Sequence, residues 1–166
     1  EFHMTNDSHL FRTEPGPGRL PLYEGKMIHQ FDHRWGEPRY WVDEAEGRKA
    51  LLGREKDTGQ TLDYQCYRLA FRDVAASTNE RCMIMTVLPR GVFCPHTMSL
   101  ESVGRNRTNG FDQIATRPLD ASERLFALSA MNSFVFDFSL RQKVTNHLSF
   151  FLVENVPVPR LDSSAA

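Results

Sequence analysis

The side chains best suited to recognising another molecule are concentrated in one short polar stretch, residues 72–81. It holds Arg, Asp, Ser, Thr, Asn and Glu, which donate hydrogen bonds to nucleobase edges or accept them. Apolar runs at residues 67–71 and 82–88 flank this stretch. They predict two strands, because Val, Ile, Met, Phe and Tyr recur between turn-forming residues. We therefore interpret residues 72–81 as a polar loop held on a rigid pair of strands.

A second polar loop is predicted over residues 105–110, RNRTNG, where the final Asn-Gly pair is a turn signal. Arg forms bidentate hydrogen bonds with guanine, and Asn forms them with adenine. Contacts with phosphates supply most of the affinity for DNA. Residues of the two loops, together with basic residues predicted to bind phosphate, make up the candidate contact set. Its members are Arg72, Asn79, Arg81, Arg105, Asn106, Arg107, Asn109, Lys26 and Lys143, with Arg34 and Arg39 as further phosphate ligands.

Several of these residues also have structural interpretations that stay open. Residues 77–80 fit a capped turn without a ligand, and Arg72 with Asp73 fits a local ion pair. Asp137 and Arg141 are four residues apart and predict an ion pair within one helix. A late group of aromatic residues could stack on bases, although we favour core packing for it. Its members are Phe134, Phe136, Phe138, Phe150 and Phe151.

The composition indicates one globular domain of 166 residues with a formal net charge of −1. The charge is uneven. Residues 1–63 carry nine basic and twelve acidic side chains, whereas residues 64–110 carry six Arg, no Lys and three acidic side chains, a net charge of +3. The planar guanidinium of Arg favours bidentate hydrogen bonds to phosphate or guanine. The middle of the chain is therefore the better candidate for an anion-binding face.

The cysteines and the hydropathy pattern restrict the setting. Three cysteines, without a C-x-x-C pair, argue against a disulfide framework and against a zinc knuckle. The longest apolar runs are too short to span a membrane, and the start of the chain does not resemble a signal peptide. We therefore expect a reducing, cytoplasmic setting without a membrane partner.

Motifs of catalysis are missing from the sequence: it lacks dinucleotide-binding, P-loop, zinc-protease and nucleophile-elbow patterns. His29 and His33 are four residues apart and could bind a metal, but turn residues are the plainer interpretation. Cys94 could pair with His96 or His147 as a nucleophile and base, although a buried structural cysteine fits as well. We predict no catalytic residue, no metal site and no enzymatic activity for this chain.

The order of the predicted elements indicates an α+β fold. A mixed or antiparallel sheet is expected early, with two or three helices, two of them near the C-terminus. Asp43 predicts a helix start, and Asp120 with Glu123 forms a capping box. The predicted elements are strands at 40–42, 67–71, 82–88 and 147–152, and helices at 44–52, 122–131 and 133–144.

The organisation of the chain is predicted in four parts. Residues 1–4 are the translation of GAATTC and CATATG, so they are expected to be a cloning remnant. Residues 5–19 end in Pro-Gly-Pro-Gly and are expected to form a flexible arm or linker. Residues 20–159 form the domain, and residues 160–166 are a tail.

Three segments together resemble a known family. They are residues 22–34 (LYEGKMIHQFDHR), residues 67–94, and residues 132–159, in which N-S-F-V-F-D-F-x-x-R-x-K-V precedes H-L-x-F-F-L-x-E-N-V-P-V-P. Their combination resembles the target-recognition (specificity) domain of fused type II restriction–modification enzymes and related N6-adenine DNA methyltransferases. The similarity extends over roughly residues 20–159.

This resemblance implies sequence-specific recognition of double-stranded DNA, with the methyltransferase domain of the same parent chain as a partner. The parent would use S-adenosylmethionine, whereas this chain lacks the F-x-G-x-G loop and the N-P-P-Y/F tetrad and needs no cofactor. Because S-T-N-E-R at residues 77–81 is part of the family pattern, it is expected to serve as scaffold or phosphate contact. Base reading then falls to residues 105–110. The alternative is a protein-interaction or structural module of a large DNA-processing enzyme.

Overall fold

The computed structural model describes residues 1–103 and 119–159. Within them, six strands form two antiparallel three-stranded sheets; among the four α-helices, the first packs on the first sheet and the later ones pack on the second. The α+β prediction is confirmed, with one helix more than expected. The strands are β1 Phe11–Arg12, β2 Arg19–Leu22, β3 Tyr40–Asp43, β4 Arg68–Arg72, β5 Met85–Leu88 and β6 Met98–Leu100. The helices are α1 Glu44–Leu52, α2 Ala121–Met131, α3 Phe134–Arg141 and α4 Phe150–Glu154.

The first sheet has the order β1-β3-β2, so the predicted strand β3 lies at its centre. Residues 5–19, expected to be a flexible arm, contain β1 and the start of β2. Phe11 and Leu20 face Val42 from either side of β3, and Val42 is fully buried. The Pro-Gly signals therefore mark the connection between two strands, because the apolar residues on both sides of that connection pack on one core.

Phe2 belongs to the same core, although residues 1–4 are expected to be a cloning remnant. Its ring is 1% exposed and lies 5.2 Å from the Phe93 ring, edge to face. Its backbone pairs with the segment after Phe93: the Phe2 N–H donates to the Cys94 carbonyl, and the Phe2 carbonyl accepts from His96. Residue 2 therefore takes part in the packing of the domain.

The second sheet has the order β5-β4-β6 and is covered on both faces. Leu69 and Phe71 of β4 face a cluster formed with the C-terminal helices, whereas Ala70 faces Met27 and Ile28 on the opposite side. This alternation is the period of two that a strand imposes. Strands β4 and β5 confirm the two predicted apolar runs, while the short edge strand β6 was not predicted.

Helix α1 begins at the predicted residue. The Asp43 carboxylate accepts from the backbone N–H groups of Ala45 and Glu46, at 3.1 and 3.4 Å, which caps the first turn. Gly47 lies inside the helix because the helix packs directly on Phe93. A Cβ atom at position 47 would lie 2.6 Å from the Phe93 ring, so only glycine allows this close approach.

A bidentate ion pair ties α1 to the loop that follows it. Arg48 donates to both carboxylate oxygens of Asp57, each at 2.7 Å, and the Gly59 N–H donates to the same carboxylate. These contacts lower the pKa of Asp57 from 3.8 to about 2. A carboxyl group whose pKa is lowered on folding stabilises the fold above its unfolded pKa and loses this effect as the pH falls through its folded pKa.

The variant Asp57→Asn should therefore be less stable than the wild type at about pH 6, with the difference shrinking towards about pH 2. Urea midpoints of both proteins at the two pH values would measure this. Glu154→Gln is the matched control, because Glu154 is exposed and has no ion pair among the described residues. A difference between Asp57→Asn and wild type that stays constant with pH would contradict the assignment.

The C-terminal helices follow the predicted signals, with one exception. The capping box of Asp120 and Glu123 is present at the start of α2. The predicted strand over residues 147–152 is wrong, because Ser149 instead precedes the short helix α4. A short apolar run does not distinguish a strand from a buried helix by periodicity alone. Here the buried positions are Leu148, before the helix, and then Val153 and Val156, which are three residues apart. Among the described residues, no helix combines the length and apolar character needed to cross a membrane.

Candidate nucleic-acid interface

The polar stretch at residues 72–81 is bound to helix α3 by a buried carboxylate. Asp137 is 4% exposed, and its Oδ1 atom accepts from the backbone N–H groups of Cys82 and Met83, at 2.7 and 2.8 Å. Two charge-assisted hydrogen bonds to one buried oxygen fix the backbone where the polar stretch ends. The sequence predicts Asp137 only in an ion pair within its helix. Its hydrogen bonds to the Cys82 and Met83 backbone are not predicted.

Arg141 holds the turn within the polar stretch. Its guanidinium donates to the carbonyl of Ser77 at 2.6 Å and to that of Glu80 at 2.8 Å. It also contacts Asp137 Oδ2 at 3.3 Å, so the predicted ion pair is confirmed. One arginine therefore joins the turn at residues 77–80 to the carboxylate that secures its neighbours.

The two arginines of the polar stretch lie against the protein, although Arg72 Nε and Arg81 Nη1 are buried without a hydrogen-bond partner among the described residues. The Arg81 guanidinium lies 3.7 Å from the centroid of the Phe134 ring and 3.9 Å from Asp137 Oδ2. Arg72 donates to the carbonyl of Ile28, and burial lowers the pKa of its guanidinium. Asp73 pairs with His147 at 3.2 Å, in place of the local ion pair with Arg72. These contacts make the stretch a brace between the sheet and the helices.

Three members of the candidate contact set are exposed in the described part of the chain. Asn79 lies in the braced turn, where its N–H donates to the Ala76 carbonyl. Lys26 is exposed, with its ammonium 3.5 Å from Glu24, and Lys143 is exposed after α3. Four other members of the set lie outside the described residues: Arg105, Asn106, Arg107 and Asn109.

A buried amide joins the same region from the other side. The Asn132 side chain, between α2 and α3, bonds both the N–H and the carbonyl of Met85, at 3.1 and 2.9 Å. The Gln30 side chain donates to the carbonyls of Met83 and Asn132, at 3.2 and 3.1 Å. Residues 22–34, 67–94 and 132–159 therefore meet at one set of hydrogen bonds. Neither amide was selected from the sequence.

Next to this junction, a tight turn presents two aromatic side chains to solvent. His29 and Asp32 exchange backbone hydrogen bonds, and the Phe31 N–H donates to the Met85 carbonyl at 3.1 Å. Phe31 has a φ of 64°, in the left-handed region, and its side chain is 59% exposed. Trp35 is 61% exposed, with its ring 4.4 Å from that of His29. We call residues 29–35 the aromatic turn.

Core packing was the favoured interpretation of the late aromatic group, and it is correct only for Phe136. The inner face of α3 is formed by Phe136, Asp137 and Leu140, and this spacing turns the remaining positions outward. Phe134 and Phe138 are exposed, and so are the other members of the group, Phe150 and Phe151.

The histidines and cysteines have structural surroundings. His29 packs on Trp35, and His33 lies near Tyr23. Cys94 is buried beside Arg68, and burial raises the pKa of its thiol, which disfavours the nucleophilic thiolate. Within residues 1–103 and 119–159, no group of three or more His, Cys, Asp or Glu side chains is arranged to hold a metal ion.

No family model matches the chain, and no curated protein matches it.

Proposed function

We propose that this chain recognises double-stranded DNA sequence-specifically, as the non-catalytic target-recognition domain of a restriction–modification N6-adenine methyltransferase. The observation that carries the proposal is the junction of the three segments that resemble this family. Gln30 of the first segment bonds Met83 of the second and Asn132 of the third. Distant segments that build one junction support a shared fold more strongly than three separate similarities.

The braced junction suits recognition, because loops that read DNA must be held in a fixed position relative to the groove. Asp137 and Arg141 fix the turn at residues 77–80, which presents Asn79. Exposed cations are available for phosphates, which dominate affinity and fix orientation. They are Lys26, Arg34, Arg39 and Lys143, of which Lys26 and Arg39 contact Glu24. Residues 105–109 remain the proposed base-reading segment.

The proposal includes the setting of the domain. Its partners are duplex DNA and the methyltransferase domain of the parent chain, which would bind S-adenosylmethionine and carry the reaction. The domain itself contributes binding and orientation, and it would act in the cytoplasm, where bacterial DNA is found.

Binding to duplex DNA with a randomised centre tests the proposal. The 166-residue chain should bind a labelled duplex at low salt, with affinity that falls as salt rises. Sequencing the bound fraction should reveal one short enriched motif. The double variant Lys26→Glu with Lys143→Glu should bind more weakly, whereas Lys56→Glu is a control outside the proposed interface. The proposal fails if no duplex binds at about 10⁻⁴ M, the weak end of nonspecific affinity.

A protein-interaction module is the second candidate, and the exposed face of α3 favours it. Phe134, Val135 and Phe138 are all largely exposed on this helix, and exposed apolar patches mark contact sites with other proteins. The variant Phe134→Ser with Phe138→Ser discriminates the two candidates. If the chain is a protein-interaction module, this double variant should abolish assembly with the other domains of the parent enzyme. The isolated wild-type chain should then not bind DNA.

A further inference from the structure

The aromatic turn holds a bulky side chain in a backbone conformation that such residues avoid. Left-handed φ values are adopted mainly by glycine, and for a bulky residue they are uncommon. Strain of this kind persists where the surrounding structure imposes it, and it clusters at functional sites. The Phe31 ring is mostly exposed, so burial in the core offers little compensation for the strain.

The turn is held by backbone hydrogen bonds within the protein itself. The His29 N–H donates to the Asp32 carbonyl at 2.7 Å, and the Asp32 N–H returns a bond at 3.1 Å. The Phe31 N–H shares the Met85 carbonyl with the Asn132 side chain. A preorganised aromatic residue loses little conformational freedom on binding, which favours affinity. Trp35, packed on His29, is held beside the same turn.

An exposed arginine within the turn favours a nucleic acid over an apolar protein surface. Arg34 is exposed and has no ion pair among the described residues, whereas the exposed Lys26 and Arg39 both contact Glu24, at 3.5 and 2.9 Å. The acid within the turn, Asp32, accepts from the backbone N–H of Arg34 at 2.7 Å, which leaves the Arg34 guanidinium free of that carboxylate. Arginine beside exposed aromatic rings is the combination by which proteins contact phosphates and stack on bases.

We propose that the aromatic turn is a base-stacking contact to duplex DNA, in which Phe31 and Trp35 pack against bases and Arg34 binds an adjacent phosphate. Apolar wedges inserted at a base step unstack it and kink the duplex. This inference rests on the proposed function and extends it, since stacking supplies contacts that the braced polar stretch does not.

Tryptophan fluorescence gives a direct test, because the chain has only two tryptophans. The variant Trp41→Phe leaves Trp35 as the sole tryptophan, and a mixed-sequence duplex of about two turns should quench its emission to saturation. The variant Trp35→Phe is the matched control: it retains Trp41 in strand β3, whose emission should not change. Duplex addition without quenching of Trp35 would overturn the proposal.

Removal of the Phe31 ring gives a second test. Phe31→Ala should weaken duplex binding by about 5- to 150-fold, the range for loss of one stacked base. Phe31→Gly should weaken it equally while melting at a higher temperature than Phe31→Ala, because glycine tolerates the left-handed backbone. Phe138→Ala is the matched control, since Phe138 is similarly exposed but lies on α3, and it should bind like wild type.

The outcomes separate the two proposals. If the wild type binds duplex DNA and Phe31→Ala binds equally well, the stacking proposal fails and the proposed function stands. If the wild type binds no duplex, both fail. If Phe31→Ala changes association with a separate methyltransferase domain but leaves duplex affinity unchanged, the turn is a protein contact, which also overturns stacking.

Discussion

Replacement of Asp137 by alanine should lower the free energy of unfolding by about 3–5 kcal/mol, the cost of removing one partner of a buried ion pair. The change removes the acceptor of two buried backbone N–H groups, those of Cys82 and Met83. It also removes the carboxylate that faces Arg81 and Arg141. Each buried donor left without an acceptor adds its own desolvation penalty. Urea unfolding followed by circular dichroism measures the loss.

The isosteric variant Asp137→Asn should lose less, because its amide oxygen still accepts hydrogen bonds while the negative charge is gone. Phe138→Ala provides the control on the same helix, since its side chain is largely exposed and its loss should be small. A loss below about 1 kcal/mol for Asp137→Ala, the scale of an ordinary net hydrogen bond, would contradict the bracing role.

Replacement of Asn132 by alanine should cost about 2–4 kcal/mol, because the buried Met85 N–H loses its acceptor and the Met85 carbonyl loses one of its two donors. The same variant should loosen the aromatic turn, since the Asn132 side chain anchors Met85, whose carbonyl also accepts from the Phe31 N–H. Thermal unfolding measures the first effect. The second should appear as increased hydrogen exchange at the Phe31 amide.

The control for Asn132 is Asn155→Ala. The Asn155 side chain also makes a hydrogen bond to a backbone carbonyl, that of Phe151, but it is exposed to water. Its removal should therefore cost well under half of the Asn132 value, because water replaces the lost partner. Equal losses of unfolding free energy at the two positions would contradict a particular contribution of the junction to stability.

Local signals in the sequence were sufficient for much of the fold. Asp43 and the capping box at Asp120 and Glu123 mark helix starts, because a cap involves only residues within one turn. The two apolar runs around residues 72–81 likewise became β4 and β5. The region after residue 147 was mispredicted as a strand, because its run is too short for periodicity to decide between strand and helix.

The candidate site was less predictable, because its main contacts join residues far apart in the chain. Gln30 reaches Asn132 across 102 positions, and Asp137 reaches Cys82 across 55. No local pattern reports such pairs. Phe31 was missed for a different reason: a left-handed backbone is expected at Gly or Asn, so nothing in the sequence marked a Phe there.

The bracing contacts change the interpretation of residues 72–81 from a DNA-contacting loop to a structural one. Arg72 and Arg81 have side chains suited to DNA, yet both are held within the domain, by the Ile28 carbonyl and by Phe134 with Asp137. Their residue types support either interpretation, and only their surroundings distinguish a brace from a reader. Contact with DNA is therefore proposed to fall to the aromatic turn, the exposed cations and residues 105–109.

The salt dependence of duplex binding by the whole chain tests the central claim most directly. The logarithm of the binding constant should fall linearly with the logarithm of salt concentration, by about 0.9 per phosphate contacted. Removing the charge of Lys26 or Lys143 should reduce this slope by about 1 each. A chain that binds no duplex at low salt, or one whose binding is independent of salt, would contradict recognition of DNA by this domain.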